Sequence, residues 1–147
     1  MKNSDLIQTK SHRHEPPISS QSIEIVHDSE DLLVVSKPCS YPVHPTGKYR
    51  FNTLIQVLKH DKQYAYAQQL YLVNRIDRLT SGLVLIAKTK EKASKMSEQL
   101  RDRNIKKTYL ARVRGDFPDG IIECNEPIMN ISAKVHFSSK LLMNRLD

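Results

Sequence analysis

Asn74-Arg75-Ile76-Asp77-Arg78-Leu79-Thr80-Ser81-Gly82-Leu83-Val84-Leu85-Ile86-Ala87-Lys88 is the stretch from which the rest of this chain can be read. Its second half, Leu83 to Ala87, is an unbroken apolar run of strand length, which predicts a strand buried on both faces. Its first half sets Asp77 between Arg75 and Arg78, and Thr80-Ser81-Gly82 adds hydroxyls and a tight turn before the strand begins. Nearby positive charge favours the charged form of a carboxylate, so Asp77 is expected to stay ionised. An ionised carboxylate can serve as a nucleophile or a general base. Local chemistry alone leaves a second reading open, a structural Asp–Arg pair in a turn.

Outward from this stretch, strands and helices mix without a regular βαβ alternation. Ile23-Glu24-Ile25-Val26 and Leu32-Leu33-Val34-Val35 read as strands separated by a polar turn, and Lys37-Pro38 ends the second. A loop with Pro42, Pro45 and Gly47 follows. Asn52 or Thr53 can cap a helix through about His60, with Leu54, Ile55 and Leu58 on one face. Leu70 to Val73 predicts a short strand. Thr89 can cap a helix from Lys90 to Arg103 whose inner stripe is Ala93, Met96 and Leu100. Tyr109 to Val113, Ile121 to Cys124 and Val135 to Phe137 predict further strands. The pattern predicts an α+β fold, a mixed and largely antiparallel sheet with flanking helices. Residues 1–22 are polar and predict a disordered tail, and residues 23–147 predict one domain. His12 and His14 in that tail have no acid or cysteine at ligand spacing, so no metal is expected there.

Charge points to a polyanionic partner. The 147 residues carry 23 Lys+Arg against 16 Asp+Glu, a net charge of +7. Six cations face one acid in the fourteen residues from Arg101 to Arg114. The lysines Lys88, Lys90, Lys92 and Lys95 could track phosphates, or could simply form a solvated helix face. Two cysteines, Cys39 and Cys124, cannot make a disulfide framework or a cysteine-rich zinc site, which fits a reduced intracellular compartment. No membrane span or signal peptide is expected. Thr46-Gly47-Lys48-Tyr49 lacks the first Gly and the hydroxyl residue of a phosphate-binding loop.

Asn74 to Lys88 resembles the active-site signature of the RluA-like RNA pseudouridine synthases: His-Arg-Leu-Asp, two variable residues, Thr-Ser-Gly, a hydrophobic strand, then Ala-Lys. Three further stretches resemble that family in the same order. They are Leu33 to Pro38, the loop Pro42 to Arg50, which is most similar to the eukaryotic branch acting on transfer RNA, and Lys106 to Gly115 with its Lys-x-Tyr strand. Asn74 stands where the family usually has His, and Ile76 where it has Leu.

The resemblance implies the pseudouridine synthase fold and a reaction that needs neither cofactor nor metal. Asp77 matches the catalytic aspartate, which attacks the uridine at the ribose C1′ or at the base. Arg75 matches the arginine that enters the base stack as the nucleotide flips out, a step required because a stacked base hides its reacting atoms. Tyr109 matches the tyrosine that packs on the target base. Asn74, Arg78, Thr80, Ser81 and Lys107 fall at substrate-binding positions. The implied partner is RNA, transfer RNA first, with no membrane. The implied location is intracellular: cytoplasmic, with nucleus or mitochondrion as alternatives. The family's domain continues into a Gly-Arg-x-His-Gln-Ile-Arg stretch that this sequence does not contain, so the chain is expected to be an incomplete, C-terminally truncated domain. The rival expectation is a non-catalytic RNA-binding remnant.

Overall fold

Leu33, Val35 and Lys37 alternate along the chain and point to one side of a strand, and that side organises the core. A computed structural model describes residues 12–61 and 69–123. Within them the elements are β1 (Glu24–Asp28), β2 (Leu32–Lys37), α1 (Leu54–His60), β3 (Tyr71–Leu72), β4 (Gly82–Ala87) and α2 (Lys90–Arg101). The sheet order is β1-β2-β4-β3, and all three pairings are antiparallel. This is the expected α+β class with an antiparallel sheet and two helices. The chain divides into two compact units, Met1–Ile105 and Lys106–Asp147.

The longest pairing is β2 with β4, which aligns Leu33 with Ile86 and Val35 with Val84. All four side chains are fully buried. Leu54, Ile55 and Leu58 of α1 join them with Val43 in one core cluster. Thr53, rather than Asn52, caps α1, its hydroxyl accepting from the Gln56 N–H at 3.4 Å. Thr89 caps α2 in the same way, accepting from the Lys92 N–H at 3.2 Å.

Four expectations need correction. The strand β4 is buried on one face only: on the other, cover falls from buried Ala87 through half-buried Leu85 to Leu83, which is 56% exposed. An apolar run signals burial but does not say what covers each face. α2 stops at Arg101, two residues early, because Arg103 adopts the left-handed conformation (φ 58°). Its N–H donates to the Leu100 carbonyl at 3.2 Å and the Asn104 N–H to the Gln99 carbonyl at 2.9 Å, the pairing that closes a helix. β1 runs on to Asp28 through a bulge between Ile25 and His27. In the second unit no strand forms over Tyr109 to Val113, where Leu110 is 84% exposed; alternation alone does not make a strand without a paired neighbour. Ile121 is a single bridge position, and Cys124 and Val135 to Phe137 lie outside the described residues.

Residues 12–22, expected within a loose tail, contain no helix or strand but are fastened to the folded unit. The Ser19 N–H donates to the Ser40 hydroxyl at 2.6 Å, and the buried Tyr41 hydroxyl donates to the Ser19 carbonyl at 2.8 Å. At the sheet's other end, Lys88 pairs with Asp28, and Lys92 pairs with Asp31 at 3.0 Å. Two of the four lysines considered for phosphate tracking thus join the start of α2 to the β1–β2 turn.

Candidate active site

Asp77 opens a β-turn, a position aspartate favours, and each carbonyl from Asp77 to Leu79 has a donor. The Thr80 N–H donates to the Asp77 carbonyl at 3.1 Å. The Lys37 ammonium donates to the Arg78 carbonyl at 3.3 Å, and the Cys39 thiol to the Leu79 carbonyl at 3.0 Å. Lys37 also donates to the carbonyls of Pro38 at 2.9 Å and Tyr41 at 2.8 Å. An ammonium has three N–H donors, and all three are used. The Lys37 side chain is fully buried. Burial pulls its pKa below the usual lysine range; Cys39 and Asp77 oppose that shift, and Arg78 adds to it.

Before the turn, Asn74 ties the chain to β4. Its carbonyl oxygen accepts from the Leu85 N–H at 2.7 Å and its amide donates to the Leu83 carbonyl at 3.2 Å. The Val73 N–H donates to the Leu85 carbonyl at 3.0 Å. The Asn74 side chain therefore stands in for a peptide group and extends the β3 ladder while its own backbone leaves the sheet. A neutral imidazole also offers one donor and one acceptor, so this role is chemically open to the family's usual His. Asn74→Ala is expected to cost about 1–2 kcal/mol in urea denaturation, because two strand groups lose their partner, whereas Asn74→His is expected to retain most of the stability. Equal melting of all three proteins would refute this role. After the turn, Gly82 has φ 125°, a backbone conformation that a side chain strains, so the chain re-enters the sheet there on a glycine.

Arg75, Ile76, Asp77 and Arg78 line a cleft of about 440 Å³ together with the loop from Pro42 to Tyr49. That volume lies in the range of small-ligand pockets. The loop folds back as a two-residue hairpin, with paired hydrogen bonds of 2.9 Å between Thr46 and Tyr49 and Gly47 at φ 56°. The Arg78 guanidinium lies over the Tyr49 ring, 5.9 Å from its centroid. Asp77 is thus an exposed carboxylate in a cleft also lined by Arg75, Arg78 and Lys48.

Of the expected site residues, Arg75, Asp77 and Arg78 share this cleft, whereas Asn74 and Thr80 hold the loop that forms it. Ser81 is exposed beside the glycine. Lys107 and Tyr109 belong to the second unit, where both are exposed. Lys37, Cys39 and Tyr49 were not singled out individually as site residues. Lys37 carried a readable signal, since it continues the buried alternation of Leu33 and Val35. Among the described residues no group of three or more His, Cys, Asp or Glu is arranged to hold a metal ion. No described helix is long and apolar enough to cross a membrane.

Residues 31–142 match the RNA pseudouridylate synthase family, and the chain belongs to that family. The mouse protein called pseudouridylate synthase RPUSD2 is 42% identical over 135 residues, covering 92% of this chain and 24% of that protein. The human protein of the same name matches at the same identity and coverage. The yeast (Saccharomyces cerevisiae) mitochondrial tRNA pseudouridine(32) synthase is 37% identical over 144 residues, 98% of this chain and 30% of its own length. The chain therefore spans 24–30% of the length of these curated relatives.

Proposed function

We propose that this chain carries the nucleophile of an enzyme that isomerises uridine to pseudouridine in RNA, with transfer RNA as the first substrate to test. The observation that carries the reading is the position of Asp77: on a turn whose carbonyls are all held, in a cleft lined by Arg75, Arg78 and Lys48. A carboxylate carried on a held turn needs less reordering to meet a reacting carbon than one on a free loop. The cations would accept the flanking phosphates of a flipped nucleotide.

Asp77 attacks the nucleotide at C1′ or at the base, and the C1′–N1 bond breaks. The uracil rotates, a C1′–C5 bond forms, the bond to Asp77 breaks, and the C5 proton leaves to solvent while N1, freed from C1′, takes one up. Product and substrate are isomers, so no cofactor is consumed. Arg75 would fill the gap left in the base stack, Tyr109 would pack on the target base and Lys107 would contact phosphate. Asn74 and Thr80 position the nucleophile's loop, and Arg78 with Ser81 would border the nucleotide. Residues 23–147 would act as the catalytic domain, in an intracellular compartment. A relative named for transfer RNA supports that substrate class.

The test is tritium release from bulk transfer RNA labelled at uridine C5, incubated with the chain. Release above a no-protein control supports the proposal. Salt-dependent RNA binding without release would instead assign the chain an RNA-binding role.

A further inference from the structure

Glu15 and Pro16 precede the first strand, yet Pro16 lines the cleft and Glu15 is bound to the chain just before α1. The Glu15 carboxylate accepts from the Phe51 N–H at 2.9 and 3.0 Å and from the Asn52 N–H at 2.8 Å. The Asn52 amide donates to the Pro16 carbonyl at 3.0 Å. Partial burial pushes the Glu15 carboxyl up, but the N–H groups of Asn52, Phe51 and Arg50, with the Arg50 charge, outweigh it and hold its pKa below the usual value. Four residues beyond Glu15, Ser19 is fastened to Ser40 and Tyr41. The segment between is therefore tied at both ends, and Pro16 within it lines the same cleft as Arg75 and Asp77. Its neighbour Pro17 is exposed and does not line the cleft.

We infer that residues 15–19 form a strap that walls the nucleotide cleft, that Pro16 is the contact surface for the flipped base, and that Glu15 is the positioning residue holding it there. This rests on the proposed reading of the cleft as a uridine site. A proline ring is a rigid apolar face whose backbone dihedral is already fixed, so it can pack on a base with little loss of entropy. It belongs to a cleft whose other lining residues include the phosphate-attracting cations. The strap would set how tightly and where the base sits, while Asp77 does the chemistry.

The test compares the whole chain with Glu15→Gln, Pro16→Ala and Pro17→Ala by fluorescence anisotropy on two RNA stem-loops. One carries a single loop uridine, and the other an abasic nucleotide at that position. Pro16→Ala and Glu15→Gln are expected to weaken uridine binding about tenfold and to leave abasic binding within twofold. Pro17→Ala is expected to change neither. Equal weakening on both RNAs would mean a general structural defect and overturn the strap, as would unchanged uridine affinity in Pro16→Ala. Failure of the unaltered chain to bind either RNA would overturn the RNA reading and the strap with it. Hydrogen exchange at the Phe51 and Asn52 amides, expected to quicken in Glu15→Gln, checks that the clamp itself has been released.

Discussion

Asp77→Asn is expected to lower tritium release at least about a thousandfold while the protein stays folded and still binds RNA. The substitution keeps size and shape and removes the nucleophilic oxygen. Asp77 is exposed, and its backbone rather than its carboxylate makes the turn hydrogen bond, so stability should change by no more than about 0.5 kcal/mol. A negative charge is also lost from a cleft lined by three cations, so RNA affinity should hold or rise slightly. That pairing separates a catalytic carboxylate from a structural one. A structural Asp–Arg pair would lose stability and binding together. Retention of even a few per cent of the release would remove Asp77 from the nucleophile's role.

Lys37→Met is expected to be the most destabilising single change at the site. The methionine fills most of the volume but leaves the carbonyls of Pro38, Tyr41 and Arg78 facing an apolar side chain. Each buried acceptor left unpaired costs about 1–3 kcal/mol, and relaxation recovers part of it. A net loss of about 3 kcal/mol, or roughly 10 °C in Tm, is expected. Tritium release should fall as well, since the Asp77 turn loses its deepest anchor. The pH dependence has a definite sign. Because the folded-state pKa of Lys37 lies below its unfolded value, the unfolded chain binds more protons between the two, and stability gains as pH rises through that window. The difference in stability between the unaltered protein and Lys37→Met should therefore widen from the lowered value up to the usual lysine range. A variant that melts within about 1 kcal/mol of the parent would show that the three carbonyls find water instead.

The parts of the fold legible in the sequence were those with local causes. Thr53 and Thr89 are hydroxyl caps in front of helical spacing, and β4 is an apolar run too short for a helix. The resemblance picked out the loop around Asp77, and Arg75, Asp77 and Arg78 do share one cleft. What stayed hidden depends on distant partners. Nothing near Glu15 announces that its carboxylate ends on the N–H groups before α1, 36 residues away. The resemblance sets Asn74 at a substrate-binding position, yet both its polar atoms are spent on β4. The strand expected at Tyr109 failed for the same reason in reverse, since alternation specifies faces and leaves the partner unspecified.

The Lys37 ammonium, ringed by three peptide oxygens, amounts to a cation cage whose occupant is tethered to the chain. Its charge is solvated by backbone dipoles rather than by a carboxylate, so it is not cancelled locally. Mobile counterions screen exposed charges over about 8 Å at physiological ionic strength, and Arg75, Arg78 and Lys48 lose reach accordingly. A charge beneath the surface is screened far less. The attraction of this cleft for a polyanion should therefore have two components, one that salt erodes and a residue that salt leaves standing.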